Sequence, residues 1–132
     1  MSEHKISIRI YYEDTDFSGV VYHANYLKFF ERGRSEALRA LGISHRDLLA
    51  ADPPLAFTAR RIAVEFMIPA RIDDELEVRT LFAKASGARL AVSQSLWRGE
   101  QQLASAEVEI ACIDLQGKPK RLPKTLLNRM QS

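Results

Sequence analysis

The apolar period of this chain changes twice, and those changes limit the folds open to it. In "HKISIRIYY", Ile6, Ile8 and Ile10 alternate with Lys5, Ser7 and Arg9, the period of a strand with one buried face. "EDTDFSG" follows, a run of acids, hydroxyls and a glycine that favours a loop over a ladder. From about Ala24 the spacing becomes helical, with Tyr26, Phe29, Phe30, Gly33, Ala37 and Leu41 three or four apart and Leu27 and Leu38 widening the stripe. Gly42 is a natural stop. Such a helix spans about 27 Å, comparable to the thickness of a small domain.

Ser44 and Asp47 mark a short second helix over "HRDLLAAD", which ends before Pro53 and Pro54. After the prolines the helical period does not return until the end of the chain. "FTARRIAVEFMIP", "DELEVRTLFAKA", "ARLAVSQSLWRG" and "EQQLASAEVEIACID" read as strands, with turns at Arg98 to Glu100 and at Gln116 to Lys118. Strand, long helix, then a run of strands joined by tight turns implies an α+β fold with an antiparallel sheet against the helix. The 132 residues are expected to form one domain over 1–132, burying roughly 65–70% of the extended surface. A chain that is 46% hydrophobic and 27% charged is expected to be globular, and no window reaches the roughly 18 apolar residues of a membrane span. The first residues lack the apolar core of an export signal, so the cytoplasm is the expected compartment. Cys112, the single cysteine, sits in a strand pattern and is expected to be core. The net charge of +2 calls for no nucleic acid, although the "GKPKRLPKTLLNRM" segment carries Lys118, Lys120, Arg121, Lys124 and Arg129 without an acid. That segment fits a solvated terminus or a surface for phosphates or an acidic partner.

The chemistry concentrates where loop meets helix. A helix that starts at residues 22 to 25 leaves its first N–H groups unpaired and carries about half a positive charge. If the preceding loop folds back, Asp16 lies close to that end, and Gly19 permits close approach. A carboxylate beside oxyanion-binding donors is what hydrolysis of an activated acyl group requires. The same residues also fit a plainer account, in which Asp14 or Asp16 caps the helix and His23 is a surface residue. The chain has neither a nucleophile elbow nor a phosphate loop. His4, His23 and His45 lack helical zinc spacing, and no residues nominate a metal or a cofactor.

The stretch "YYEDTDFSGVVYHANYLKFFERGR" resembles the N-terminal signature of the hotdog-fold acyl-CoA thioesterases, in particular the 4-hydroxybenzoyl-CoA thioesterase family and its Tol-Pal-associated YbgC branch. Asp16, Gly19, Val21, Asn25 and Tyr26 carry the pattern, and a looser likeness continues through "VEFMIPARIDDELEV" and the last strands. The resemblance implies a hotdog fold, in which the antiparallel sheet wraps the long helix, and an acyl-CoA thioesterase that releases free acid and CoA. It assigns Asp16 as nucleophile or general base. The backbone near His23 becomes the oxyanion donor, and the His23 side chain is read as orienting Asp16 or water. Tyr22 and Asn25, with Gly19, place the loop or the substrate. His23 and Phe17 stand where the 4-hydroxybenzoyl-CoA enzyme has tyrosine and proline, which favours the YbgC branch.

By the same resemblance, the turn in "KASGARLAV" contributes Lys84, Ser86 and Arg89 to CoA phosphates, although an exposed β-turn accounts for them equally. The resemblance implies a homodimer or homotetramer, with active sites between subunits. Weakly charged strands such as "LAVSQSLW" suggest an edge open to pairing, which agrees. An acidic protein partner, such as an acyl carrier protein, fits the basic C-terminal segment. A hotdog hydratase or dehydratase, or a non-catalytic CoA-binding or envelope-complex adaptor, are the competing functions.

Overall fold

A computed structural model describes residues 3–130 of the chain. The elements are β1 (His4–Arg9), a 3-10 turn (Tyr12–Asp14), α1 (His23–Ala40), α2 (His45–Ala50), β2 (Ala56–Phe66), β3 (Glu75–Ser86), β4 (Arg89–Arg98), β5 (Gln101–Ile113) and α3 (Lys124–Met130). Every pairing is antiparallel and the strand order is β1-β3-β4-β5-β2. The α+β reading and the wrapped helix both stand. The stretch from Leu90 to Trp97 is not an edge. It lies in β4, bonded to β3 on one side and β5 on the other, and the edges are β1 and β2.

Alternation along β3 turns Leu76, Val78, Thr80 and Phe82 inward, all buried, and Leu90, Val92, Gln94 and Leu96 of β4 do the same. Onto this face α1 lays Tyr26, Phe29, Phe30, Gly33, Ala37 and Leu38. The helix packs against β1 and β3. Leu27, expected in the apolar stripe, is 41% exposed. It lines a groove with Ile62 and Val64 on the β2 side. The basic C-terminal segment is only partly a solvated terminus. Leu122, Leu126 and Met130 recur every four residues and are buried, so α3 docks on the core while Lys118, Lys120, Arg121 and Lys124 stay exposed. Cys112 is buried, and burial pushes its thiol up from the usual range.

Gly33 is where helix and sheet come closest. A Cβ there would lie 2.6 Å from Val78 Cγ1 and 2.9 Å from Thr80 Oγ1. The approach lets Gln94, itself 4% exposed, donate to the carbonyl of Phe30 at 2.8 Å and to Thr80 Oγ1 at 2.9 Å. Arg34 donates to the Gln94 carbonyl oxygen at 3.1 Å, so the buried amide is satisfied on both ends.

Gly33→Ala is therefore expected to destabilise the protein by up to about 2 kcal/mol, because overpacking of roughly 1–3 kcal/mol is offset by a helix gain of only roughly 1 kcal/mol. The urea midpoint should fall at unchanged slope. A variant as stable as the parent would show that helix and sheet can part without loss.

Candidate active site

Residues 15–22 fold back beneath the start of α1. The turn is closed by Asp16 N–H to the Val20 carbonyl at 2.9 Å and by Gly19 N–H to the Asp16 carbonyl at 3.3 Å. Gly19 has φ +80°, a region L side chains rarely adopt, whereas a Cβ there would only touch Ile72 Cγ2 at 3.5 Å. Backbone conformation, more than close approach, is thus the requirement for glycine. The loop is then fastened to the segment after β2, with Val21 N–H donating to the Ala70 carbonyl and Ile72 N–H to the Gly19 carbonyl, both at 2.9 Å.

Two bonds tie helix to loop. Asn25 Nδ2 donates to the Asp14 carbonyl at 2.9 Å and Tyr22 N–H to the same oxygen at 3.2 Å. The Asp14 carboxylate accepts from Tyr11 N–H at 2.9 Å, which caps the 3-10 turn rather than α1. Tyr26 fixes the other side: its hydroxyl accepts from Ala70 N–H at 2.9 Å.

α1 begins without the usual N-terminal devices. Its N-cap is Tyr22, whose side chain makes no capping bond, and no acid occupies the first turn. Asn25 N–H turns back to the Tyr22 carbonyl, and the N–H groups of His23 and Ala24 precede any intrahelical acceptor. A positive helix end with open donors is left facing a cavity of about 480 Å³ lined by Asp16, Val20, Tyr22, His23, Tyr26 and Phe66, among others.

Asp16 Oδ1 accepts from Ser18 Oγ at 2.7 Å, Ser18 N–H at 2.8 Å and Val20 N–H at 3.3 Å. Oδ2 has no hydrogen bond among the described residues, so one oxygen anchors the group and the other is open. The Ser18 hydroxyl, then the Ser18 and Val20 amides, hold the Asp16 carboxyl below its ordinary value. The imidazole of His23 makes no hydrogen bond to Asp16 among the described residues. It meets the rings of Tyr22 and Phe66 edge-on, at 5.4 and 5.5 Å between centroids.

The structure brings Asp16, His23 and Tyr22 to one cavity, and puts Gly19 and Asn25 in the scaffold that shapes it. Lys84, Ser86 and Arg89 do meet one another, but in a separate groove of about 590 Å³ that shares no lining residue with the Asp16 cavity. Two acids stand in that groove: Glu109 pairs with Arg89 and, at 3.5 Å, with Arg60, and Glu107 accepts from Ser93. Sequence reasoning missed the far wall of the Asp16 cavity, formed by Phe66, Met67, Ile68 and Pro69. Its only signal was an apolar run at the end of "FTARRIAVEFMIP" that breaks the alternation. Among the described residues, no group of three or more His, Cys, Asp or Glu side chains could hold a metal ion. No helix among them is long and apolar enough to cross a membrane.

A family model described as the thioesterase superfamily matches residues 18–105, beginning two residues after Asp16. The chain is 44% identical over 118 residues to the acyl-CoA thioesterase YbgC of Haemophilus influenzae, covering 89% of this chain and 86% of that one. It is 43% identical over 122 residues to the acyl-CoA thioester hydrolase YbgC of Escherichia coli O157:H7, covering 91% and 90%. A solved structure of a probable thioesterase from Bartonella henselae superposes with a TM-score of 0.90 at 46% identity, covering 92% of this chain and all of that one.

The Asp16 geometry yields a titration prediction. Because hydrogen bonds to the ionised form lower its pKa, Asp16 should remain a carboxylate as pH falls until below the ordinary aspartate range. Ser18→Ala removes the largest of those donors and should move the midpoint upward. Carboxyl-carbon NMR of both proteins checks this, and an unmoved midpoint would discount the Ser18 bond.

Proposed function

We propose that the chain, which belongs to the thioesterase superfamily and is an acyl-CoA thioester hydrolase, carries out its chemistry in the cavity between Asp16 and the first turn of α1. The observation that supports this reading is the pairing of an ionised, half-anchored carboxylate with an uncapped helix N-terminus on one cavity. The thioester carbonyl oxygen lies against the His23 N–H, where the developing negative charge meets an open donor and the positive helix end. Asp16 Oδ2 acts from the opposite side. It either takes a proton from an attacking water or attacks the carbonyl carbon itself, giving a mixed anhydride that water opens. In both routes the carbon–sulfur bond breaks, the thiolate leaves and is protonated to CoA thiol, and the acid departs as carboxylate.

Other residues serve position. Asn25 holds the loop to the helix through the Asp14 carbonyl. Tyr22 and His23 contribute aromatic surface beside the carbonyl. Lys84, Ser86 and Arg89 lie in a second groove of mixed charge, with Glu107 and Glu109 beside them. CoA reaches that groove only if the nucleotide end extends well beyond the Asp16 cavity or a second copy brings its own groove near.

A second copy is favoured by the surface around the cavity. Tyr22, Phe66 and Met67, which line the cavity, are each roughly half exposed, apolar surface of the kind that marks an interaction site. β2 is also an unpaired edge eleven residues long. The working form is accordingly a homodimer or homotetramer. The exposed lysines beside α3 are read as the face for an acidic protein partner such as an acyl carrier protein, and the compartment as the cytoplasm.

Asp16→Asn keeps the acceptor used by Ser18 but removes the basic oxygen, and kcat for thiol release should fall at least about 100-fold. The melting temperature should hold. Asp14→Asn should be much milder, since Asp14 caps the 3-10 turn. Near-parental turnover by Asp16→Asn would leave Asp16 with only the closing of its own turn and would favour the non-catalytic CoA-binding reading. For the assembly, light scattering at micromolar concentration should give the mass of a dimer or tetramer, and a fully active monomer would refute it.

A further inference from the structure

Arg61 and Glu65 stand four residues apart on the edge strand β2, and among the described residues neither forms an ion pair within the chain. Side chains at that spacing share a face of the strand but lie about 13 Å apart, so they do not pair with one another. Arg61 and Ala63 line the outer groove that holds Lys84, whereas Ile62 and Val64 line the groove under α1. β2 therefore presents a cation, a small residue and an acid on one face, and two aliphatic residues on the other.

A twofold axis pairs an edge strand with its own copy in antiparallel register. One register answers both faces of β2. With the axis at Ala63, Arg61 faces the partner's Glu65, Ile62 faces the partner's Val64, and the two alanines meet on the axis. Opposite charges and aliphatic pairs directly across a ladder stabilise it, and like charges oppose it. An axis at Arg61 would set two arginines against each other, and one at Ile62 would leave both charges unanswered. Continued past the end of β2, the Ala63 register carries residues 66–69 alongside residues 57–60 of the partner. The first stretch, Phe66 to Pro69, is the far wall of the Asp16 cavity. The second includes Phe57, Thr58 and Ala59, one wall of another pocket of about 260 Å³.

Within its own copy this pocket serves no chemistry. It shares no lining residue with the Asp16 cavity, and Ser35 on its rim lies twelve residues along α1 from His23, about 18 Å away. Its floor is Phe82, Leu90, Val92 and Ile110, from the three strands β3, β4 and β5. Pairing at β2 thus borders the pocket, unlike the groove at Ile62 and Val64, which the partner's strand covers. The rim is polar: Ser35 donates to Glu31 at 3.2 Å and lies 3.0 Å from His45 Nε2. An apolar floor under a polar rim is the form of a ligand site, and the volume, below the roughly 300–1,000 Å³ of a whole site, is that of a part.

We propose that the pocket under Ser35 of one copy receives the far end of the acyl group whose thioester sits at Asp16 of the other, so that each site is built from two chains. This rests on the acyl-CoA hydrolase reading and on assembly through β2, and adds where the acyl group goes. With the carbonyl at the His23 N–H, the acyl chain leaves along Phe66 and crosses to the wall of the partner's Phe57. An acetyl group ends before the crossing. Longer groups reach the partner's pocket and are selected by the room in it.

The test is complementation between two lesions, read as kcat/KM for thiol release from acetyl-CoA and from the best-hydrolysed saturated acyl-CoA of four carbons or more. Ser35→Trp, which fills the pocket, should lower kcat/KM for the longer acyl-CoA at least about tenfold and leave that for acetyl-CoA within about threefold. Ser35→Trp and Asp16→Asn chains are then co-expressed with different tags, and the mixed dimer is purified through both. One of its sites carries both lesions and the other carries neither, so it should recover about half the parental activity toward the longer acyl-CoA. If the pocket serves its own copy, each site carries one lesion and the mixed dimer stays at least about tenfold down. That result would overturn the shared site while leaving the hydrolase reading intact, as would parental kcat/KM in Ser35→Trp. Ser35→Leu, a milder change, takes the same place should Ser35→Trp fold poorly by melting temperature. Parental protein that releases no thiol from any acyl-CoA would instead overturn the hydrolase reading, and the shared site with it.

Discussion

The structure depends on the close approach at Gly33. Apolar packing alone would hold a helix on a sheet, but it is non-directional and tolerates sliding. The missing side chain brings the backbone of α1 near enough for Gln94 to reach the Phe30 carbonyl, and that bond has one register. Its net stabilisation is only about 0.5–1.5 kcal/mol, yet a shifted helix would leave the buried amide unpaired at roughly 1–3 kcal/mol. Arg34 adds to the same penalty. Burial draws its guanidinium below the usual value, with Glu31 opposing, and its bond to Gln94 would be lost by the same slip.

Fixing the register of α1 fixes where its first turn ends, and the site is built at that end. Asn25 and Tyr26 are successive residues there, one bonded to the loop before the helix and one to the segment after β2. Helix start, carboxylate loop and cavity wall are thereby held to one another by bonds that each involve a backbone group. The electrostatics divide in the same way. The depressed Asp16 carboxyl owes its shift to Ser18 and Val20 within its own turn. The donors of α1 are left for something else. An acid or a serine at the N-cap would have taken one of them and offset the positive end, and Tyr22 does not.

Faces were legible in the sequence; neighbours were not. Alternation identified Leu76, Val78, Thr80 and Phe82 as inward, and helical spacing identified Tyr26, Phe29, Phe30, Gly33 and Ala37, because those patterns are local consequences of backbone geometry. Strand order is a nonlocal property. Nothing within "LAVSQSLW" says that two partners flank it, so an apparent edge is a central strand. The same limit explains Leu27, whose spacing suits the core but whose azimuth faces the β2 side, where the helix makes less contact. At the site, Asp16 and His23 are legible together because both fall within the one stretch that precedes and opens α1 and carries the family resemblance. Phe66 was not, since forty residues of chain separate it from its ring contacts at Tyr26. Lys84, Ser86 and Arg89 were grouped by a turn that does group them, but the turn carries no information about its distance from Asp16.

One consequence follows from how open the cavity is. Asp16 and His23 are exposed in the chain alone, and in high dielectric a helix end and a carboxylate act weakly on a carbonyl. Charges 4 Å apart interact by about 1 kcal/mol in water and about 4 kcal/mol near a protein surface. The catalytic strength of the arrangement therefore depends on what excludes water from it. An acyl group bound in the proposed site would do part of this by filling the apolar cavity beside Phe66. The rim of Tyr22 and Met67 is surface of the kind a second copy would cover, and covering it would strengthen every dipole aimed at the carbonyl without moving one. If the proposed site and assembly hold, assembly would couple to catalysis through the dielectric of the site, and the exposed aromatic rim would then belong to the chemistry as much as Asp16.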